Sequence, residues 1–241
     1  MILTRERIEE NYKRISDRVF AAALKADRDP EMIRIVVVTK SQPVEVIQAV
    51  IDAGVKYLGE NYPDETEKKV DALNRRGDFE WHMIGHLQSR KAKIVADYFQ
   101  CMHSIDNIAI AEKLDRLLAE RGKTLPVMLE FNMGGEETKA GWDAKDPSRW
   151  NELLPQVEIA IQCKHLDVVG LMTMPPLSED AEKSRLYFRN LRLLRDMLMH
   201  NFPQMKLSQL SMGTSTDFEA AVEEGATYIR IGTAIVGPRK Y

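Results

Sequence analysis

Short, nearly continuous apolar runs alternate along this chain with longer segments whose apolar residues recur every three or four positions. The runs read as buried strands and the periodic segments as amphipathic helices. The strands predicted in this way are Ile33–Thr39, Val55–Gly59, Glu80–Ile84, Gln100–Ser104, Val127–Asn132, Asp167–Met172, Leu207–Ser211 and Thr227–Ile231. Between them fall helices at Val44–Ala53, Asp64–Asn74, Ser89–Ala96, Ile108–Arg121, Pro147–Ile161, Glu179–Asn201 and Asp217–Glu224. A further helix over Arg5–Lys25 precedes them all, with Ile8, Tyr12, Ile15, Val19 and Ala22-Ala23 along one face.

Eight strands with a helix between each neighbouring pair is the pattern of a (β/α)8 barrel of TIM type, here preceded by an amino-terminal helix. A doubly wound open sheet is the competing architecture. It would show a Gly-x-Gly-x-x-Gly turn after its first strand, whereas this chain has Thr39-Lys40-Ser41-Gln42 there. No Pro-, Gly- or Ser-rich linker and no repeat divides the chain, so residues 1–241 are expected to form one domain. The segment Gly134–Gly141, with three glycines after a strand, is the loop expected to move.

Composition narrows the class without naming a chemistry. The chain has 241 residues, 44% hydrophobic and 29% charged, as soluble globular proteins do. A net charge of -3 carries no signature of nucleic-acid binding. No apolar run approaches the roughly 20 residues that span a bilayer. The charged start, Thr4-Arg5-Glu6, lacks the apolar core of a signal peptide, and the two cysteines fit a reducing compartment. A cytoplasmic protein is expected.

The candidate chemistry lies at strand ends. Lys40 closes the most apolar run, Ile33–Lys40, and Pro43 follows to open a helix. In parallel α/β folds that strand edge binds ligands, and a lysine there can form a Schiff base with an aldehyde. The alternative is a lysine that snorkels to water. After the seventh strand comes Ser211-Met212-Gly213-Thr214-Ser215-Thr216-Asp217, and after the eighth Gly232-Thr233-Ala234. Both are suited to an anion at a helix start, and barrel enzymes frequently bind phosphate with these two loops. A plain helix cap by Ser215 or Thr216 is the simpler reading of the first. Arg230 shares a strand face with Gly232 by alternation. Its buried guanidinium needs partners, either a carboxylate such as Glu60 or Glu130 or an acceptor on a ligand. His82 and His86 lack a third ligand at metal spacing, so core or loop roles are expected and no metal.

Several motifs then occur in one family order: Val38-Thr39-Lys40, Gly59-Glu60-Asn61-Tyr62, Trp81–Gln88 with Lys91, Gly170–Met174, Ser211-Met212-Gly213 with Ser215 and Asp217, and Arg230–Ile235 with Gly237. Over nearly its whole length the chain resembles the YggS/PROSC family, the pyridoxal phosphate homeostasis proteins. These are similar to the barrel domain of bacterial alanine racemase standing alone. The resemblance implies a pyridoxal 5'-phosphate aldimine on Lys40 and Arg230 facing the pyridine nitrogen. It implies phosphate held by Ser211, Gly213, Gly232 and Thr233, with Asn61 near the ring. Thr214, Pro63-Asp64 and Arg90 depart from the residues often found in the family.

Pyridoxal phosphate is an electron sink only as far as its ring nitrogen is protonated, and arginine can only donate. Racemases resembling this chain add a second base from a carboxyl-terminal β-domain, and the chain ends at Tyr241. The expectation is therefore a non-catalytic, monomeric carrier that holds the cofactor and hands it to apoenzymes. A weak amino-acid racemase or lyase, and a Schiff-base aldolase or phosphosugar isomerase, are the alternatives.

Overall fold

The computed structural model describes residues 3–73, 78–178 and 180–238. Its strands are β1 (Arg34–Val38), β2 (Tyr57–Glu60), β3 (Glu80–Met83), β4 (Cys101–Ile105), β5 (Leu125–Asn132), β6 (Trp142–Asp143), β7 (Leu166–Met172), β8 (Gln209–Ser211) and β9 (Tyr228–Ile231). All pair in parallel in the order β4-β3-β2-β1-β9-β8-β7-β5-β6, and a β4–β5 pairing closes the sheet. Eight of them form a TIM-type barrel, and β6 extends β5 beyond its rim.

The helices are α1 (Arg5–Lys25), α2 (Val44–Asp52), α3 (Pro63–Leu73), α4 (Ala92–Tyr98), α5 (Ile108–Ala119), α6 (Leu154–Gln162), α7 (Ala181–Asn201), α8 (Phe218–Glu223) and α9 (Thr233–Val236). The Thr4 side chain caps α1 by accepting from the Arg7 amide, and Ile8, Ile15, Val19, Ala22 and Ala23 are buried along one stripe. Asn11, on the same face, donates to the Ile235 carbonyl at 3.1 Å and ties α1 to α9.

All eight predicted barrel strands are present, with ends shifted by a residue or two. The helices expected at Ser89 and Pro147 instead begin as 3-10 turns, Ser89–Lys91 and Pro147–Leu153. Pro155 explains the second: it fits only the first turn of a helix, so α6 starts at Leu154. The expected helix boundaries at Asn74 and Glu179 lie outside the described residues, as does Tyr241. The short elements β6 and α9 are additions that no periodicity announces.

The main core lies between barrel and helices and includes Val37, Leu58, Ile229 and Ile231, the outward residues of their strands. Inside the barrel a smaller cluster of Cys101, Met128 and Met172 packs beside polar groups. This alternation is the feature that puts Arg230 and Gly232 inward, as their register requires.

Candidate functional site

A cleft of about 700 Å³ opens at the carboxyl ends of the strands. Lys40, Asn61, Arg230, Gly232 and Thr233 all line it. Ser211 and Gly213 do not, although they are buried beside it.

Lys40 sits two residues beyond β1, in a turn whose next residue, Ser41, has φ +57°. The Ser41 amide donates to Glu65 Oε2 at 3.2 Å, which secures that turn. Below it, Thr39 Oγ1 donates to Glu60 Oε1 at 2.6 Å. Lys69 Nζ donates to Glu60 Oε1 at 2.8 Å and to the Thr39 carbonyl at 3.1 Å. Helix α3 thus anchors the strand end that presents Lys40. Burial raises the Glu60 carboxyl, and Lys69 and Thr39 oppose that rise. Neither Lys69 nor this knot is singled out by the sequence.

Arg230 is buried in the middle of the barrel. Its pairing with Glu60 or Glu130, one of the expectations from sequence, does not occur: among the described residues neither carboxylate forms an ion pair with it. The guanidinium donates instead to Ser211 Oγ at 2.6 Å, to the Thr173 carbonyl at 2.9 Å and to Met174 Sδ at 3.0 Å. Burial lowers its pKa to about 10, so it is a cation at neutral pH.

From Ser211 a chain of hydrogen bonds continues through the barrel. Ser211 Oγ meets His103 Nδ1 at 2.8 Å, His103 Nε2 meets His82 Nδ1 at 2.9 Å, and His82 Nε2 meets Glu80 Oε2 at 3.0 Å. Burial holds both histidines below their ordinary pKa and hence neutral. One assignment then satisfies every link: Ser211 donates to His103, His103 to His82, and His82 to the Glu80 carboxylate. The Ser211 hydroxyl, expected to serve phosphate, spends its proton on this chain and holds Arg230 by accepting from it. Tyr57 and Tyr228 pack against the His82 ring, with centroids 5.3 and 5.7 Å away, and Tyr228 also packs on His103.

The loops after β8 and β9 both reach the cleft. In the first, Thr214, Ser215 and Thr216 line it. Gly213 makes this possible. Its φ is +91°, and a Cβ there would lie 2.5 Å from the Ala221 Cβ, so only glycine brings the loop this close to α8. Asp217 Oδ1 then accepts from the Thr214 amide at 2.7 Å and from its hydroxyl at 3.0 Å. In the second loop Gly232 and Thr233 begin α9 at the cleft wall.

The remaining wall is mixed. Asn61 packs on Gly85, where a Cβ would come within 2.8 Å of the amide carbon, and its Oδ1 is buried without a partner. His86 is paired through Nδ1 with the buried Asp106, and Asn107 donates to the other Asp106 oxygen at 2.6 Å. Glu130, two residues before the end of β5, is buried with one oxygen unpartnered among the described residues, and burial and Asp106 push it up to about 7 against the pull of Arg230 and His86. The loop expected to move is tied down: Asn132 accepts from the Gly135 amide at 2.9 Å and donates to the Glu136 carbonyl at 2.8 Å. Lys139 donates to the Pro175 carbonyl at 2.8 Å, which brings Thr138–Ala140 over the cleft.

His82, Cys101 and His103 have ligand-type atoms within 4.8 Å of one another. His82 and His103 face each other through their own hydrogen bond, and burial pushes the Cys101 thiol up, away from the thiolate that metals take. His86 lies apart from this group, at the cleft.

Comparison with known proteins gives a consistent result. The family model described as alanine racemase, N-terminal domain, matches residues 3–240. The pyridoxal phosphate homeostasis protein of Aquifex aeolicus is 39% identical over 232 residues, covering 96% of this chain and 98% of that protein. The crystal structure of an unknown protein from Bifidobacterium adolescentis matches with a TM-score of 0.86 at 33% identity, over 96% of this chain and 95% of that one. PipY of Synechococcus elongatus, solved with PLP bound, matches with a TM-score of 0.77 at 34% identity, over 92% and 100% of the two chains.

Proposed function

The chain belongs to the alanine racemase N-terminal domain family, alongside the pyridoxal phosphate homeostasis proteins, and from that premise we propose that it binds pyridoxal 5'-phosphate in the cleft at the strand ends. The observation that carries this reading is the meeting of Lys40, Arg230 and the loops after β8 and β9 in one cleft. The donor set suits the molecule. Thr214–Thr216, Gly232 and Thr233 offer hydroxyls and backbone at the loops for a phosphate. Val38, Ile84 and Met172 offer apolar wall for a flat ring. Arg230 supplies a donor for a ring acceptor, and Lys40 an amine to bond the aldehyde carbon with loss of water. Ser211 and Gly213, also proposed as phosphate contacts, are buried beside the cleft, where Ser211 accepts from Arg230 and Gly213 shapes the loop after β8.

The bound cofactor supplies an electron sink to the extent that its ring nitrogen is protonated. Arg230 cannot accept a proton and holds an acceptor nitrogen bare, which keeps that sink weak. The role that follows is custody of a reactive aldehyde for intracellular homeostasis and delivery to apoenzymes, without turnover, by a cytoplasmic monomer. The names of the relatives support it. No described helix is long and apolar enough to cross a membrane.

A second reading, a weak amino-acid racemase or lyase, draws on the His86–Asp106 pair in the cleft wall, a group able to move a proton. Exchange of amino-acid Cα hydrogen with deuterated water, catalysed by wild-type protein and lost in His86→Phe, would favour it; no exchange favours custody.

The custody reading is tested by thermal unfolding of the apo protein. Pyridoxal phosphate at 100 times its dissociation constant adds about 2.7 kcal/mol. For a chain of this size that is a rise in Tm of roughly 5–10 °C. Pyridoxal, which lacks the phosphate, should give much less, and Thr233→Val should narrow the gap. Equal shifts from both aldehydes would contradict the phosphate assignment.

A further inference from the structure

We propose that Glu130 is a further ligand contact, a neutral carboxylic acid that donates a hydrogen bond to the ring phenolate oxygen of the bound cofactor. The inference rests on the cofactor reading above.

Two buried carboxyls lie at or near strand ends beside the cleft, and their surroundings differ. Glu60 has Lys69 and Thr39 on one oxygen, and although its other oxygen is also unpartnered among the described residues, Glu60 does not line the cleft. Glu130, 7% exposed, lines the cleft with an oxygen that no described residue bonds. A buried carboxylate without donors costs far more than a buried carboxylic acid, whose O–H needs only one acceptor. The charged groups around Glu130 come from several elements: Asp106 after β4, His86 after β3, Arg230 on β9, Lys40 after β1 and Lys139 in the loop after β5. Arg230 lies near enough to favour the carboxylate, yet its hydrogen bonds go to Ser211, Thr173 and Met174. Burial and Asp106 prevail, and the group sits at about 7 before any ligand arrives.

An anion entering the cleft adds a like charge and raises the carboxyl further. The bound form is therefore the acid, whose O–H needs an acceptor. Pyridoxal phosphate carries two kinds of anionic oxygen. The phosphate belongs with the loops after β8 and β9, and β7 and β8 separate β5 from β9 in the sheet. The phenolate is the acceptor left for Glu130.

The sign of the pH effect follows. Binding takes up a proton, so affinity is highest below the pKa of the unliganded group and falls as pH rises through about 7. Glutamine keeps a neutral donor without the titration.

The test is cofactor affinity, read from the absorbance of bound pyridoxal phosphate, for wild type, Glu130→Gln and Glu130→Leu on both sides of neutrality. The 3-O-methyl ether of the cofactor, which has no phenolate, is the second ligand. Ionisations of the cofactor and of Lys40 are common to all proteins and cancel in the ratios. Glu130→Gln should match wild type at mildly acidic pH and exceed it at alkaline pH. Glu130→Leu should bind pyridoxal phosphate roughly tenfold or more weakly, as expected for a lost hydrogen bond to a charged group, and bind the ether as wild type does. Parallel pH profiles for wild type and Glu130→Gln overturn the inference, and so does an equal loss for both ligands in Glu130→Leu. If Glu130→Leu does not fold, the Glu130→Gln profile decides alone. Wild-type protein that takes up no pyridoxal phosphate overturns the cofactor reading and this inference with it.

Discussion

The barrel interior has two ends built on different terms. From its middle to its floor, Arg230, Ser211, His103, His82 and Glu80 form one unbroken series of hydrogen bonds. At its mouth, Asn61 and Glu130 each keep a buried oxygen with no partner, and Glu60 keeps one just beneath. Buried polar groups in folded proteins are nearly always bonded, and the exceptions ask for a reason. The floor has its reason in the fold itself. At the mouth, Asn61 and Glu130 line the cleft proposed above to take up a ligand. Arg230 belongs to both ends, fixed from below and lining the cleft above.

The two ends also answer pH in opposite senses. His82 and His103 are held neutral, so the unfolded chain takes up protons before the folded one. Their contribution to stability is present above the ordinary histidine pKa and is lost as pH falls through it. Glu130 is held protonated up to about 7, against an ordinary 4.5. Its contribution is present below 4.5 and is lost as pH rises from there to about 7.

The largest effect should come where a satisfied group is orphaned. Lys69→Met leaves Glu60 buried without its cation, at a cost of about 3–5 kcal/mol in urea unfolding at neutral pH. The deficit should shrink in acid, where Glu60 is protonated. A change under 1 kcal/mol at neutral pH would show that the Glu60 knot does not anchor the Lys40 strand end. His103→Leu comes next. It strips Ser211 and His82 of partners and should cost roughly 2–4 kcal/mol, while flattening the fall of stability below the histidine range. A stability–pH curve parallel to that of wild type would contradict the assigned neutral chain. Glu130→Gln in the apo protein should carry no cost. It leaves stability near pH 4.5 unchanged and gains on the order of 3 kcal/mol relative to wild type above pH 7. A loss there would mean that the carboxylate is bonded after all.

Much of this comparison was legible in the sequence, though unevenly. Strand alternation put Arg230 and Gly232 on the inner face, and strand ends marked Lys40 and the loops after β8 and β9, because those inferences need only neighbouring residues. The hydrogen bonds of the floor need residues far apart: Ser211 and His103 are separated by 108 positions. No local pattern reports that series: the sequence predicts a core or loop place for His82, which is fully buried, without linking it to His103 and Ser211. Lys69 is only nine positions from Glu60, but the pair meets through the fold of α3 onto the end of β2 and has no sequence signature, and Glu130 is offered only as a partner for Arg230. Thr214 and Thr216 reach the cleft through the Gly213 turn, whose positive φ a glycine permits but does not require.

The central claim is that the mouth of the barrel takes up pyridoxal phosphate through Lys40. Borohydride reduction of protein incubated with the cofactor, followed by peptide mapping by mass spectrometry, tests it most directly. The account predicts one pyridoxyl adduct, on the peptide containing Lys40, and none in Lys40→Ala protein that remains folded. An adduct on Lys69, Lys139 or another lysine of the wild-type protein, or none on any, would contradict it.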